Sequence, residues 1–436
     1  MGTLGIILAI IIIVIMAMRG FSIVFIAPAA SIIVILTNGK DFFPSLIGKE
    51  ASFMTGLTGF VINYFAVFLL GGILAQYIEK SGAAQAISEK VLSITGIERP
   101  FSVLVAIFAI SSILTFGGIS LFVVLFVIIP LARPLFKKLN IAWNMIVIPL
   151  FLGIGTFTMT MMPGTPSIQN VVPTKYLGTT LMAAPLIGIV ATLVSIIAGL
   201  WYMRHTLNQS LERNEVFEEN DKSDEQIELK DKIPSFFSSI LPLLALIIII
   251  FIGSALDIEN IVLIGLGAAV IISALKFHRY IPSHKQALSQ GANGSIHPIF
   301  FTAASVGFGV VITLAPGFQA ISNFILGIPG NPLISLTIAS AALGSITGSS
   351  SGGLGITMEA FAQSYLDMGV NPEAMHRIST IASAVFTALP HAGAILSTFA
   401  LTGLTHKKAY KYSFLVMTLP TSLALLAALI VAILVY

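Results

Sequence analysis

The chain has 436 residues, 56% hydrophobic and only 9% charged, with a formal net charge of +3, and its mean hydropathy is +0.98. No water-soluble domain of this length carries so little charge on its surface, so the composition excludes a soluble protein and leaves an integral membrane protein without a separate soluble domain. The absence of cysteine excludes disulfides, thiolate nucleophiles and cysteine metal sites, and the mild positive balance is no argument for nucleic acid, because most Lys and Arg lie in short loops.

The first residues, "MGTLGIILAIIIIVIMAMRG", lack a basic n-region and a small-residue cleavage site, and Arg19 follows the apolar run. This predicts a retained helix, residues 4–18, with its N-terminus outside the cell. Apolar runs long enough for a hydrocarbon core of about 30 Å follow at 21–36, 53–76 and 182–203, with another entering "MMPGTPSIQN" from residue 143. One hydrophilic stretch, "RHTLNQSLERNEVFEENDKSDEQIELKDKIPS", is rich in both charge signs, as a solvated connector is. It divides the chain into halves 1–204 and 234–436 around a linker at 205–233. The second half predicts crossings at 236–252, 261–275, 296–314 and 410–436, and one that starts at 374 and breaks.

Two apolar runs, 101–136 and 333–366, are interrupted at their middles by "LTFGGISLF" and "SITGSSSGGLGIT". Each is either two crossings or a re-entrant hairpin. The excess of Lys and Arg in cytoplasmic loops decides between them. With hairpins, of the 22 Lys and Arg only Lys40, Lys49, Lys175 and Arg377 fall on the outer face; with a full first crossing, Arg133, Lys137, Lys138 and the linker move outside. The rule favours hairpins, a cytoplasmic linker and both termini outside.

An internal repeat appears in the same count. Gln85-Ala86-Ile87-Ser88 matches Gln319-Ala320-Ile321-Ser322, and "FTMTMMPGTPSIQN" aligns with "SAVFTALPHAGAILS", Pro163 on Pro390. Five crossings per half place the second half in the opposite orientation. The predicted fold is therefore an all-α polytopic membrane protein: an inverted repeat of five transmembrane helices each, with two re-entrant hairpins and two broken helices.

Irregular backbone at membrane depth is tolerated only inside protein or along a wet cavity, so the hairpin tips and breaks are expected to share one site. Pro163 and Pro166 end a helix and Gly164 lets the chain turn. Carbonyls before the break suit a cation and the amides that reopen the helix suit an anion. Thr165, Ser167, Gln169, Asn170, Ser349, Ser350, Ser351, Ser397, Thr398 and Ser120 are the candidate ligands, and Gly117, Gly118 and Gly353 leave the main chain open to close approach. Helix capping is the structural alternative for any one hydroxyl, and helix packing for the glycines.

Ionisable groups within apolar segments are few. His391 is the candidate for proton coupling or substrate contact, against a structural hydrogen-bonded histidine; Glu359 is a second candidate for the proton. Lys175 suits a lysine snorkelling to the interface and Asn63 suits helix packing. With Arg377 assigned to an outer loop, no Arg or Lys is expected at depth, and the positive field is expected from helix ends plus a co-transported cation. No metal site, cofactor or enzymatic motif is predicted.

"FTMTMMPGTPSIQN" followed by "YLGTT", together with "LPHAGAILSTFALTGLTHKKAY", resembles the gluconate permease (GntP) family of the ion transporter superfamily, over nearly the whole chain. The resemblance implies a bacterial inner-membrane symporter that imports a small organic anion, a gluconate-like sugar acid or a short hydroxy or keto monocarboxylate. H+ is expected as the coupling ion and Na+ is the alternative, with movement of a hairpin-bearing domain. A passive channel and an intramembrane enzyme are remote alternatives. Elevator carriers of this kind are often dimers, which makes a homodimer an expectation.

Overall fold

A computed structural model describes residues 1–95, 99–116, 121–165, 167–218, 232–256 and 258–436. Every regular element among them is a helix. In the first half α1 (Gly2–Met18) packs on α2 (Ile23–Thr37), and a short α3 (Phe42–Ile47) leads to α4 (Phe53–Ser81). A capping box opens α4: Ser52 Oγ accepts from Thr55 N, while Thr55 Oγ1 accepts from Ser52 N. There follow α5 (Ala83–Thr95), α6 (Pro100–Phe116), α7 (Leu121–Leu139), a 3-10 turn at Trp143–Ile146 running into α8 (Val147–Ile154), the single turn α9 (Phe157–Thr160), α10 (Ile168–Leu177) and α11 (Pro185–Glu212).

After the central stretch come α12 (Phe236–Ala255), α13 (Ile261–Lys276), α14 (His284–Thr313), α15 (Pro316–Leu326), α16 (Pro332–Thr347), α17 (Ser350–Asp367), α18 (Pro372–Ala384), α19 (Gly393–Thr402) and α20 (His406–Val435). Among the described residues, five stretches are long and apolar enough to cross a membrane: Phe53–Ser81, Trp143–Thr160, Pro185–Glu212, His284–Thr313 and His406–Val435.

The core is the pairing of α4 with α14. A Cβ on Gly72 would lie 2.5 Å from Gly291 O, and one on Gly307 would lie 2.6 Å from Phe53 O, three residues before Gly56. Small residues at both ends let the backbones touch. Because the early part of α4 meets the late part of α14 and the reverse, the two helices are antiparallel. Packing between the halves is reciprocal: α2 lies on α14 and α13 on α4, α1 on α15 and α12 on α5, α10 on α17 and α7 on α19.

Two boundaries differ by more than five residues from those read in the sequence. Helix α11 continues to Glu212, into the predicted connector, because Thr206, Leu207 and Ser210 are buried against the protein. Helix α14 begins at His284 rather than 296, with Ser283 capping Gln286 N. The predicted linker residues 219–231 lie outside the described residues.

Candidate functional site

The second hairpin turns at Gly348, in the left-handed region at φ +59°, where a side chain would be strained. Ser349 then caps α17 by accepting from Gly352 N at 3.3 Å, and the base of the hairpin is tied by Tyr365 OH donating to Ser335 Oγ at 2.9 Å. Its arms touch backbone to backbone, since a Cβ on Gly353 would lie 2.3 Å from Gly344 N. Gly353 therefore serves arm packing.

In the first break α9 ends at Thr160 and the chain turns at Gly164, φ +82°. Ser167 restarts the helix as the cap of α10: its Oγ donates to Met159 O at 2.6 Å and accepts from Asn170 N at 3.2 Å. In the second break the chain leaves α18, turns through Pro390 and His391, and restarts at Gly393 without a side-chain cap. Here α14 holds it, Ser305 Oγ donating to His391 O at 2.5 Å and Thr302 Oγ1 lying 3.1 Å from Gly393 O.

These pieces enclose a cavity of about 480 Å³. Its wall includes the first residues of four helices: Leu121 and Phe122 of α7, Ile168 and Gln169 of α10, Ser350 and Ser351 of α17, and Gly393 and Ala394 of α19. The first amides of a helix have no partner within it, and the helix dipole puts partial positive charge there. Phe60, Tyr64 and Phe122 form an aromatic wall, with ring centroids 5.9 Å and 6.0 Å from Phe122. No Asp, Glu, Lys, Arg or His is among the described lining residues. The cavity thus combines apolar walls with amide and hydroxyl groups at helix starts, a setting for a small anion.

Of the predicted ligands, Ser167, Gln169, Ser349, Ser350 and Ser351 line this cavity. Gln169 Nε2 donates to Ser350 Oγ at 2.9 Å, and its buried Oε1 has no hydrogen-bond partner among the described residues. Thr165 is buried behind the wall, its hydroxyl 3.5 Å from Phe116 O. Ser397 Oγ donates to Pro298 O at 3.0 Å and lies 2.8 Å from Thr302 Oγ1, and Thr398 bonds back to Ala394 O. Ser397 thereby ties α19 to α14, while the Thr398 bond stays within α19. His391 is fully buried behind the tip, Nε2 3.3 Å from Ile346 O and Nδ1 without a hydrogen-bond partner among the described residues. Glu359 and Lys175 are exposed, away from the cavity, and so is Asn63. Gly117, Gly118 and Ser120 lie outside the described residues.

One expectation is overturned. Arg377 does not lie in an outer loop; it is fully buried on α18. Its Nη1 donates to Asn170 Oδ1 at 3.1 Å, Nη2 to Ala183 O at 2.8 Å and to Leu181 O at 3.2 Å, and Nε to Ala183 O at 3.2 Å. Asn170 Nδ2 donates to Thr165 O at 2.8 Å and Leu181 O at 2.9 Å, so both ends of its carboxamide are committed to protein partners. His376 Nε2 faces the same Oδ1 at 3.0 Å and its Nδ1 faces Thr179 Oγ1 at 2.7 Å; Glu373 Oε2 accepts from Ala184 N at 3.1 Å. Glu373, His376 and Arg377, spaced i, i+3, i+4 on one helix face, together clamp the segment after α10 to α18. The asparagine read as a substrate ligand is the centre of that clamp.

The chain is similar to known proteins along most of its length. The chain is 32% identical over 452 residues to the uncharacterized transporter YxjC of Bacillus subtilis (strain 168), covering 93% of each chain. A solved structure of Neisseria gonorrhoeae MtrF, described as illuminating a class of antimetabolite efflux pumps, aligns over 99% of this chain and 94% of its own at 13% identity and a TM-score of 0.38. The model of the GntP family permeases matches residues 1–435. The chain belongs to the GntP permease family and is a multi-pass membrane transporter, not an enzyme.

Proposed function

We propose that the protein is a secondary active symporter importing a small organic anion, a gluconate-like sugar acid or a short hydroxy or keto monocarboxylate. The observation that carries this reading is the meeting of four helix starts on one cavity whose described wall has no charged side chain. Main-chain amides at such ends favour a carboxylate. The unpartnered Oε1 of Gln169 accepts a hydrogen bond from a substrate hydroxyl, and the aromatic wall covers the carbon chain. The coupling ion is H+, with Na+ the alternative; no His, Asp or Glu lines the described cavity wall, so a coupled proton is carried behind that wall, with buried His391 the candidate, whereas Na+ would be held at the wall by hydroxyl and carbonyl oxygens.

The halves 1–204 and 234–436 form an inverted repeat around a cytoplasmic linker, with both hairpins re-entrant and both termini outside. The support is the antiparallel contact of α4 with α14, equivalent elements in the two halves, and the reciprocal packing of the remaining pairs. Exchange of conformations between two such halves gives alternating access around one site. We assign the chain to a bacterial inner membrane and its working form to a homodimer.

Uptake into proteoliposomes of a carboxylate panel under imposed proton or sodium gradients tests the symport. Accumulation of one panel member driven by one gradient is expected. Equilibration without accumulation under either gradient means a passive channel.

A further inference from the structure

We infer that Arg377 supplies a fixed positive charge to the anion cavity, as a positioning and specificity-determining residue that acts through the start of α10. This rests on the anion reading above and adds a source of charge to it. The side chain is fully buried, yet its acceptors are all neutral: Asn170 Oδ1 and the carbonyls of Leu181 and Ala183. Among the described residues no carboxylate pairs with it. Glu373, one turn earlier on α18, is exposed and accepts from Ala184 N instead. The remaining titratable neighbour in the clamp, His376, shares Asn170 Oδ1 with the guanidinium.

A buried cation without a counter-ion is costly, and a clamp made only for rigidity would be served by neutral donors. Its position gives the charge a use. Asn170, which receives the guanidinium, directly follows Gln169, which lines the cavity, and its amide is capped by Ser167 on the same wall. The charge therefore stands immediately behind the positive end of α10. In surroundings of low dielectric its field reaches well past one residue, and an anion in the cavity supplies counter-charge that none of the guanidinium's hydrogen-bonded acceptors provides.

The cysteine-free chain allows a direct measurement of that field. Ser350→Cys puts one thiol on the cavity wall, and its reaction with anionic methanethiosulfonate ethylsulfonate is compared with that of cationic methanethiosulfonate ethyltrimethylammonium in the reconstituted full-length protein. Thiol acidity affects both rates alike, so their ratio, normalised to a free thiol, reports potential. The anionic reagent is expected to be favoured at least tenfold. Arg377→Gln should cut the ratio severalfold and Arg377→Lys should preserve it; Asn170→Asp, which places a carboxylate against the guanidinium, should also collapse it and serves if Arg377→Gln does not fold. A ratio unchanged by Arg377→Gln or by Asn170→Asp, or lost equally in Arg377→Lys, overturns the assignment while leaving the anion cavity standing. A ratio at or below that of the free thiol before any change at Arg377 overturns both.

Discussion

Gln169 and Ser350 meet across 181 residues of sequence, the carboxamide Nε2 donating to the hydroxyl at 2.9 Å. The restart of the first broken helix is thereby bonded to the first residue of the second hairpin's returning arm, and both residues face the cavity. Removing one partner of a buried hydrogen bond costs about 1–3 kcal/mol. Gln169→Ala should therefore raise the KM for the transported carboxylate by roughly 5- to 150-fold, and Gln169→Glu should raise it further by adding like charge. Initial uptake rates against substrate concentration measure both, and the reverse order would exclude an anion beside this residue.

Gly353 and Gly344 set the spacing of the second hairpin. A Cβ at 353 would stand 2.3 Å from Gly344 N, and one at 344 would stand 2.0 Å from Ser383 O. Main-chain atoms cannot rotate away, so Gly353→Ala should destabilise the folded protein by about 1–3 kcal/mol through overpacking. A lower Tm in detergent is the expected signal. An unchanged Tm would mean that the arms are looser than this contact requires.

Ser397, bonded to Pro298 O and lying against Thr302 Oγ1 of the cavity wall, holds α19 to α14 and is not itself among the lining residues. Ser397→Ala should cost about 1 kcal/mol of stability, lowering Tm by a few degrees with KM unchanged. A raised KM at unaltered Tm would return Ser397 to the site.

Single cysteines at Lys138 and Lys40 test the orientation of the chain. A membrane-impermeant maleimide should label position 138 only from the cytoplasmic face and position 40 only from outside. Labelling of position 138 from outside would mean that the first interrupted run crosses completely, and the two halves would then not be inverted.

Sequence reasoning located the two interrupted runs, the two breaks and the serines at the second tip, because glycine and proline in long apolar segments have few physical explanations. Ser397 and Thr398, read as ligands, bond within the protein and are not among the residues that line the cavity, and a hydroxyl facing a neighbouring helix and one facing a cavity have the same composition. Arg377 was missed for a different reason. It lies near the start of the crossing read from residue 374 and counts in the sequence with the charges of the outer face; the helical spacing of Glu373, His376 and Arg377 on α18 is the signal that places them on one side of that helix. The share of the wall contributed by α4 and α14, Tyr64, Thr302 and Ser305, carried no break and so no local signal; its role follows from which helices pack together.

The cavity's described wall, without Asp, Glu, Lys, Arg or His and bordered by four helix starts, has a consequence for how binding responds to acidity and to mutation. Peptide dipoles have no proton to gain or lose, and a guanidinium keeps its own throughout the physiological range. Acid dependence of uptake is therefore expected from the driving ion, the substrate or the histidines behind the wall, His376 and His391, rather than from Asp, Glu or His on the wall itself. Exchange of the hydroxyl and amide side chains at the tips can then retune which anion fits while the polarity built into the backbone stays the same.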